Sequence, residues 1–185
     1  TTQDALGFTS YHACAAFKNS ENRKQNNVLC AQAFWLDIDA GEGKPYADAA
    51  DAYRALLRFC NATGLPLPLC VSSGLGLHTY WPLVEALDPA EWQPRAERLH
   101  QLCEQHGLLI DPARTRDLSS ILRTPGTHNR KHGGFALVTC GDLVGPFELD
   151  ELGAINVQGV RVPPVWRGSI QPSRTSVPRD FAAAA

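Results

Sequence analysis

Apolar positions recur along this chain in two rhythms: short runs suited to strands, and a three-to-four spacing suited to helices. The run Ala33-Phe34-Trp35-Leu36 leads into Asp37-Ile38-Asp39, so 30–38 reads as a buried strand ending in two carboxylates. After Pro45, residues 46–60 carry Tyr53, Leu56, Leu57 and Cys60 on one stripe, which predicts a helix closed by Gly64 and the prolines at 66 and 68. Stretches 67–71 and 77–84 are short apolar runs of strand type, separated by Ser72-Ser73-Gly74-Leu75-Gly76. Residues 89–106 form a second amphipathic stretch, with Asp88 placed to cap it and Pro89 in its first position. Gly107 stops that helix, and 108–111 reads as a short strand ending in Asp111. Residues 5–18 have weak helical spacing, 112–135 is a long polar segment, and 135–140 reads as one more strand.

Strand, helix, strand, strand, helix, strand is the order of a split βαβ arrangement. The expected fold class is therefore α/β (α+β), an RNA-recognition-like or ferredoxin-like βαββαβ core with N-terminal and C-terminal additions. In that topology the first and third strands are central antiparallel neighbours. The end of the first strand, with Asp37 and Asp39, then adjoins the start of the strand carrying His78, and a last strand on the other flank can bring Asp111 to the same end. The expected organisation is a domain over 1–160. A tail or linker over 161–185 holds Pro163, Pro164, Pro172, Pro178 and four arginines.

Composition narrows the picture modestly. The 185 residues can bury a substantial core, and a formal net charge of −2 excludes globally driven nucleic-acid binding, so any such contact must be local. Six scattered cysteines without a C-x-x-C pair favour a reducing, cytoplasmic setting over a disulfide framework. No stretch is apolar enough to suggest a membrane span. The chain begins Thr1-Thr2 and contains no Met, which suggests a piece of a longer protein.

Three motifs carry chemistry. On a strand, Asp37 and Asp39 point to one face, and two like charges there call for a cation; a divalent metal is the usual answer, a capped polar turn the plainer one. In the second, Ser72-Ser73-Gly74-Leu75-Gly76-Leu77-His78, glycines let backbone amides approach an anion, while hydroxyls and His78 can donate to it. Its plain alternative is an ordinary hairpin. In the third, residues 121–131, Pro125-Gly126 forms a turn displaying Arg123, Asn129, Arg130 and Lys131, with Arg114 and Arg116 nearby. The loop from Lys18 to Asn27, with Arg23 and Lys24, is either solvated surface or part of a phosphate-contacting rim.

Taken together, Phe-Trp-Leu-Asp-Ile-Asp-Ala-Gly, Ser-Ser-Gly-Leu-Gly-Leu-His-Thr-Tyr-Trp and Leu-Arg-Thr-Pro-Gly-Thr-His-Asn-Arg-Lys resemble the archaeo-eukaryotic primase superfamily. The resemblance spans roughly residues 30–140 and is nearest to the primase-polymerases of plasmids, phages and other mobile elements. It implies that Asp37, Asp39 and a later Asp hold two divalent ions, Mg²⁺ or Mn²⁺. Asp111 is the preferred third ligand over Asp117, because a strand end holds a ligand more rigidly than a loop. It further implies that Ser73 and His78 contact an incoming triphosphate within the Ser72, Gly74 and Gly76 turn, with Arg123, Asn129 and Lys131 as further contacts.

The implied activity is template-directed nucleotidyl transfer from NTP or dNTP, making primers or extending DNA. The implied partners are a single-stranded DNA template and a helicase, fused or in complex. A non-catalytic replication initiator module and a metal-dependent nuclease stay open as alternatives. Zinc is not expected: His100, Cys103 and His106 are spaced by three on one helix and rotate away from one another.

Overall fold

The computed structural model of the chain describes residues 2–131 and 134–157; the Pro/Arg-rich segment 161–185 lies outside them. A four-residue helix, α1 (Thr2–Ala5), is followed by β1 (Tyr11–Ala13) and β2 (Ala16–Phe17). The core then runs β3 (Val28–Asp39), α2 (Ala49–Thr63), β4 (Leu69–Ser72), β5 (Gly76–Leu87) and α3 (Pro89–Gln105). After it come α4 (Pro112–Thr115), β6 (Ile121–Arg123), β7 (His128–Asn129), β8 (Ala136–Leu137) and β9 (Thr139–Cys140). The mixed fold class read from the sequence holds.

The main sheet has the order β2-β3-β5-β4-β9, with antiparallel pairing throughout. Phe34, Trp35, Leu36 and Ile38 of β3 are completely buried, which is what an uninterrupted apolar run at the sheet centre accomplishes. Trp92 of α3 stacks on Trp35 at 4.8 Å between ring centres and donates its indole N–H to the Ala33 carbonyl at 2.8 Å. One residue thus supplies large apolar area and a satisfied polar end. Both long helices start at aspartate caps: Asp48 accepts from Asp51 N, and Asp88 from Ala90 N and Glu91 N. At the end of α2, Gly64 adopts φ 74°, the left-handed turn that glycine tolerates without strain.

Four expectations need correction. Residues 5–18 are not a helix: after α1 the chain extends into β1 and β2, where Tyr11, His12 and Ala13 pair with Arg123, Leu122 and Ile121 of β6. The apparent helical spacing of Phe8, Tyr11 and Ala15 has no apolar face to serve, since Phe8 and Tyr11 are exposed. The 108–111 stretch is not a strand; a single hydrogen bond, Asp111 N–H to Asp37 O at 2.8 Å, docks it against β3, and β2 pairs with β3 further back. The 112–135 segment is not one loop but contributes α4, β6 and β7. Residues 135–140 split at buried Val138 into β8, which pairs with β7, and β9, which extends the main sheet.

Candidate active site

The register of β3 against β5 sets the site. Asp37 lies opposite His78 and Asp39 opposite Gly76, so the carboxylate pair and the second motif meet at one end of the sheet centre. The Ser73–Gly76 turn is drawn in by two bonds, Ser73 N–H to Gly76 O at 2.9 Å and Ala40 N–H to Leu75 O at 2.9 Å. Gly76 is required by closeness: a Cβ there would run into the Ile38 carbonyl. Gly74 has φ 88°, and a Cβ on it would meet Ala136 Cβ at 2.7 Å. Gly76 thus serves backbone packing and Gly74 the seating of Ala136 and Asn129, and like Ser72 they stand outside the cavity wall.

A cavity of about 620 Å³ opens over this end of the sheet. Its wall includes Asp37, Asp39, Asp111, Ser73, His78, Arg123, Asn129 and Lys131, eight of the residues singled out in the sequence. It also includes Tyr11, Glu42, Lys44 and Arg114, which motif reading did not select as contacts. Lys44, in the Gly-rich turn after β3, reaches Asp39 Oδ2 at 2.7 Å; a lysine in a glycine turn just beyond an Asp-x-Asp was the available signal. Arg114 comes from α4, whose first position is Pro112 and whose cap is Asp111, with the Asp111 carboxylate accepting from Ala113 N. Arg114 Nε stands 3.7 Å from Asp111 Oδ2.

Other candidates sit elsewhere. Arg130 turns away from the cavity to Asp4. Arg23 bonds the Ser119 carbonyl, and residues 18–26 are exposed and absent from the cavity wall. Asp117 is held by Ser119 and Gln25. His100 and Cys103 are buried in α3, while His106 ends that helix edge-on to Phe59, so the three do not converge.

Acidic and basic side chains meet in the wall, but burial weighs unevenly on them. Burial, with Asp39 and Asp111 adding to it, pushes the Asp37 carboxyl up to about 6. Arg114 and Arg123 oppose that rise without cancelling it. His78, 3.8 Å away from Asp37 Oδ1, is pushed down to about 4, chiefly by burial and then by Arg123. Lys44 and Arg114 offset part of the charge on Asp39 and Asp111, and the three carboxylates together remain a donor set of the kind that hard cations take. Among the described residues no three such side chains are gathered closely enough to hold an ion unaided.

No family model and no curated protein sequence matches the chain. Solved structures do match. The primase-polymerase AEP domain of cyanophage S-2L superposes with a TM-score of 0.57, at 22% identity over 84% of this chain and 74% of its own. Primase RepB′ superposes with a TM-score of 0.52, at 16% identity over 83% of this chain; the match spans 44% of that protein. The class defined by the sheet and its helices is thus a mixed α/β fold with a curled antiparallel sheet. More particularly, the chain has the fold of the archaeo-eukaryotic primase-polymerase domain. No helix among the described residues is long and apolar enough to cross a membrane.

Proposed function

We propose that the chain is a primase-polymerase catalytic domain, transferring nucleotidyl groups from NTP or dNTP onto a growing strand under direction of a single-stranded template. One observation carries the reading: Asp37, Asp39 and Asp111 share a single cavity with His78, Arg123, Asn129 and Lys131. Its volume falls within the usual range for small-molecule sites. An acidic set suits metal ions, and a basic and polar set suits a triphosphate, for which a nuclease needs no site.

Asp37, Asp39 and Asp111 would hold the divalent ions, which when bound supply charge neutralisation and activation of a hydroxyl nucleophile. His78 is neutral near pH 7, so it carries one ring N–H and can give it to a phosphoryl oxygen without adding charge. Arg123 and Lys131 bring positive charge to the non-bridging oxygens, where it counts most as pyrophosphate leaves. Tyr11 donates nothing to Arg123; its hydroxyl accepts from Arg123 Nη1 at 2.9 Å and its ring lies under the guanidinium, which holds the fork in one orientation. Asn129 donates to Ser73 O at 2.8 Å and so links the third motif to the second.

The test is incubation with single-stranded template, Mn²⁺ and labelled NTP or dNTP. Template-dependent incorporation lost in Asp37→Ala supports the reading. Degradation of the template without incorporation replaces it with the nuclease, and template binding with neither activity replaces it with the initiator module. The helicase partner and a cytoplasmic setting belong to the same proposal, and co-purification from the native source tests the former.

A further inference from the structure

Asn129 belongs to a ribbon that cannot hold its own shape, and Lys131 follows it by two residues. β7 and β8 make only two residue pairs, His128 with Leu137 and Asn129 with Ala136, and an isolated two-stranded ribbon is marginal in water. From β7 through the two residues that follow it, the side chains alternate in direction. Asn129 and Lys131 line the cavity, whereas His128 and Arg130 point the other way, toward α1.

Behind the ribbon stands Asp4, the buried residue of α1. Its Oδ1 accepts the His128 backbone N–H at 2.8 Å, and its Oδ2 lies 2.7 Å from His128 Nδ1. Arg130 Nη2 donates to the Asp4 carbonyl at 2.7 Å and lies 3.4 Å from Oδ1. Phe135 closes the group, stacking on the His128 ring at 4.1 Å with the Arg130 guanidinium 4.8 Å from its centre. Arg130 Nε is buried with no partner among the described residues, so its charge is balanced mainly through Asp4. On the front of the strand, Asn129 is buried, donates to Ser73 O and accepts from Lys131 N at 3.0 Å.

We propose that Asp4 is a positioning residue for nucleotide binding, clamping β7 from behind so that Asn129 and Lys131 face the triphosphate. The inference rests on the reading of the cavity as a nucleoside triphosphate site. It makes a segment lying far ahead of the first motif part of the nucleotide wall, while leaving the carboxylates of β3 untouched.

The experiment compares the wild-type protein with Asp4→Asn and Arg130→Gln, which remove the clamp from either side. Circular dichroism melting establishes that each variant is folded. Mn²⁺ affinity without nucleotide should stay within about twofold of wild type, because the metal ligands sit on other elements. Affinity for a fluorescent dNTP should fall by about five- to tenfold, since small displacements of positioning groups are costly. In primer extension the nucleotide KM should rise by the same factor with kcat at saturation unchanged. Hydrogen exchange should report lost protection confined to 128–131. A wild-type protein that takes up no nucleoside triphosphate overturns both this inference and the functional reading. A wild-type protein that does, with either folded variant matching its nucleotide affinity or losing kcat at constant KM, overturns this inference alone.

Discussion

Asp37 and His78 face each other across the two central strands, 3.8 Å between Oδ1 and Nε2, and burial moves them in opposite directions. The carboxyl is pushed up to about 6 and the imidazole down to about 4. Near neutral pH the pair is therefore a carboxylate beside a neutral ring, not an ion pair. The negative charge of Asp37 is left for a cation to compensate.

Stability should show that directly. The folded value for Asp37 lies above the unfolded one, so its contribution is fully present below pH 3.8 and lost as pH rises through about 6. Metal-free Asp37→Asn escapes the loss and should be more stable than wild type above pH 6, by at most about 3 kcal/mol. The gap should vanish near pH 4. Urea denaturation across that range checks the sign, and Mn²⁺ should stabilise wild type but not the variant.

Asp111 and Asp117 are separated by the same logic of position. Asp111 lines the cavity, whereas Asp117 is committed to Ser119 and Gln25. Burial alone would raise the Asp117 carboxyl, but those hydrogen bonds outweigh it and hold the group below the usual range. Asp111→Asn should abolish incorporation at any Mn²⁺ concentration, and Asp117→Asn should retain it. The reverse result would assign the third ligand to Asp117.

Arg123→Ala should weaken nucleotide binding about tenfold, the size of one charge-assisted hydrogen bond. Tyr11→Phe keeps the ring beneath the guanidinium and removes only the hydroxyl acceptor, so about threefold is expected. Nucleotide titration distinguishes them; unchanged nucleotide affinity with weaker template binding would place Arg123 in the nucleic-acid groove.

Gly76→Ala tests the packing reading of the second motif. A Cβ would meet the Ile38 carbonyl and stand 3.1 Å from Ala40 N, both backbone atoms that a rotamer change cannot move. The cost should be about 3 kcal/mol or more, read as a lower melting temperature. A neutral substitution would mean that the β3–β5 spacing is looser than described.

Acid should release the N-terminal clamp. Hydrogen bonds from His128 hold the Asp4 carboxyl below its ordinary value. A depressed carboxyl contributes stability above its unfolded value and loses it as pH falls through the folded one. Wild type should therefore exceed Asp4→Asn in stability above about pH 5, with the difference closing below pH 3.8. A difference that grows on acidification would contradict the assignment.

The local rules written into the sequence determined the core. The apolar run of β3, the Asp88 cap of α3 and the Gly-x-Gly turn each act over a few residues, so their positions could be read directly, as could the meeting of Asp37 with His78 once the element order was known. What only the tertiary structure decided has longer reach. Residues 5–18 have helical spacing but become extended because β6, over a hundred positions later, offers Tyr11–Ala13 a partner. Residues 108–111 look like a strand but gain only one backbone bond to β3. Lys44 enters the wall through a turn and Arg114 through the short helix α4, whose directions no periodicity encodes. Asp4 is an ordinary acidic residue until folding buries it behind His128 and Arg130, since a pairing across more than 120 residues leaves no local pattern to read.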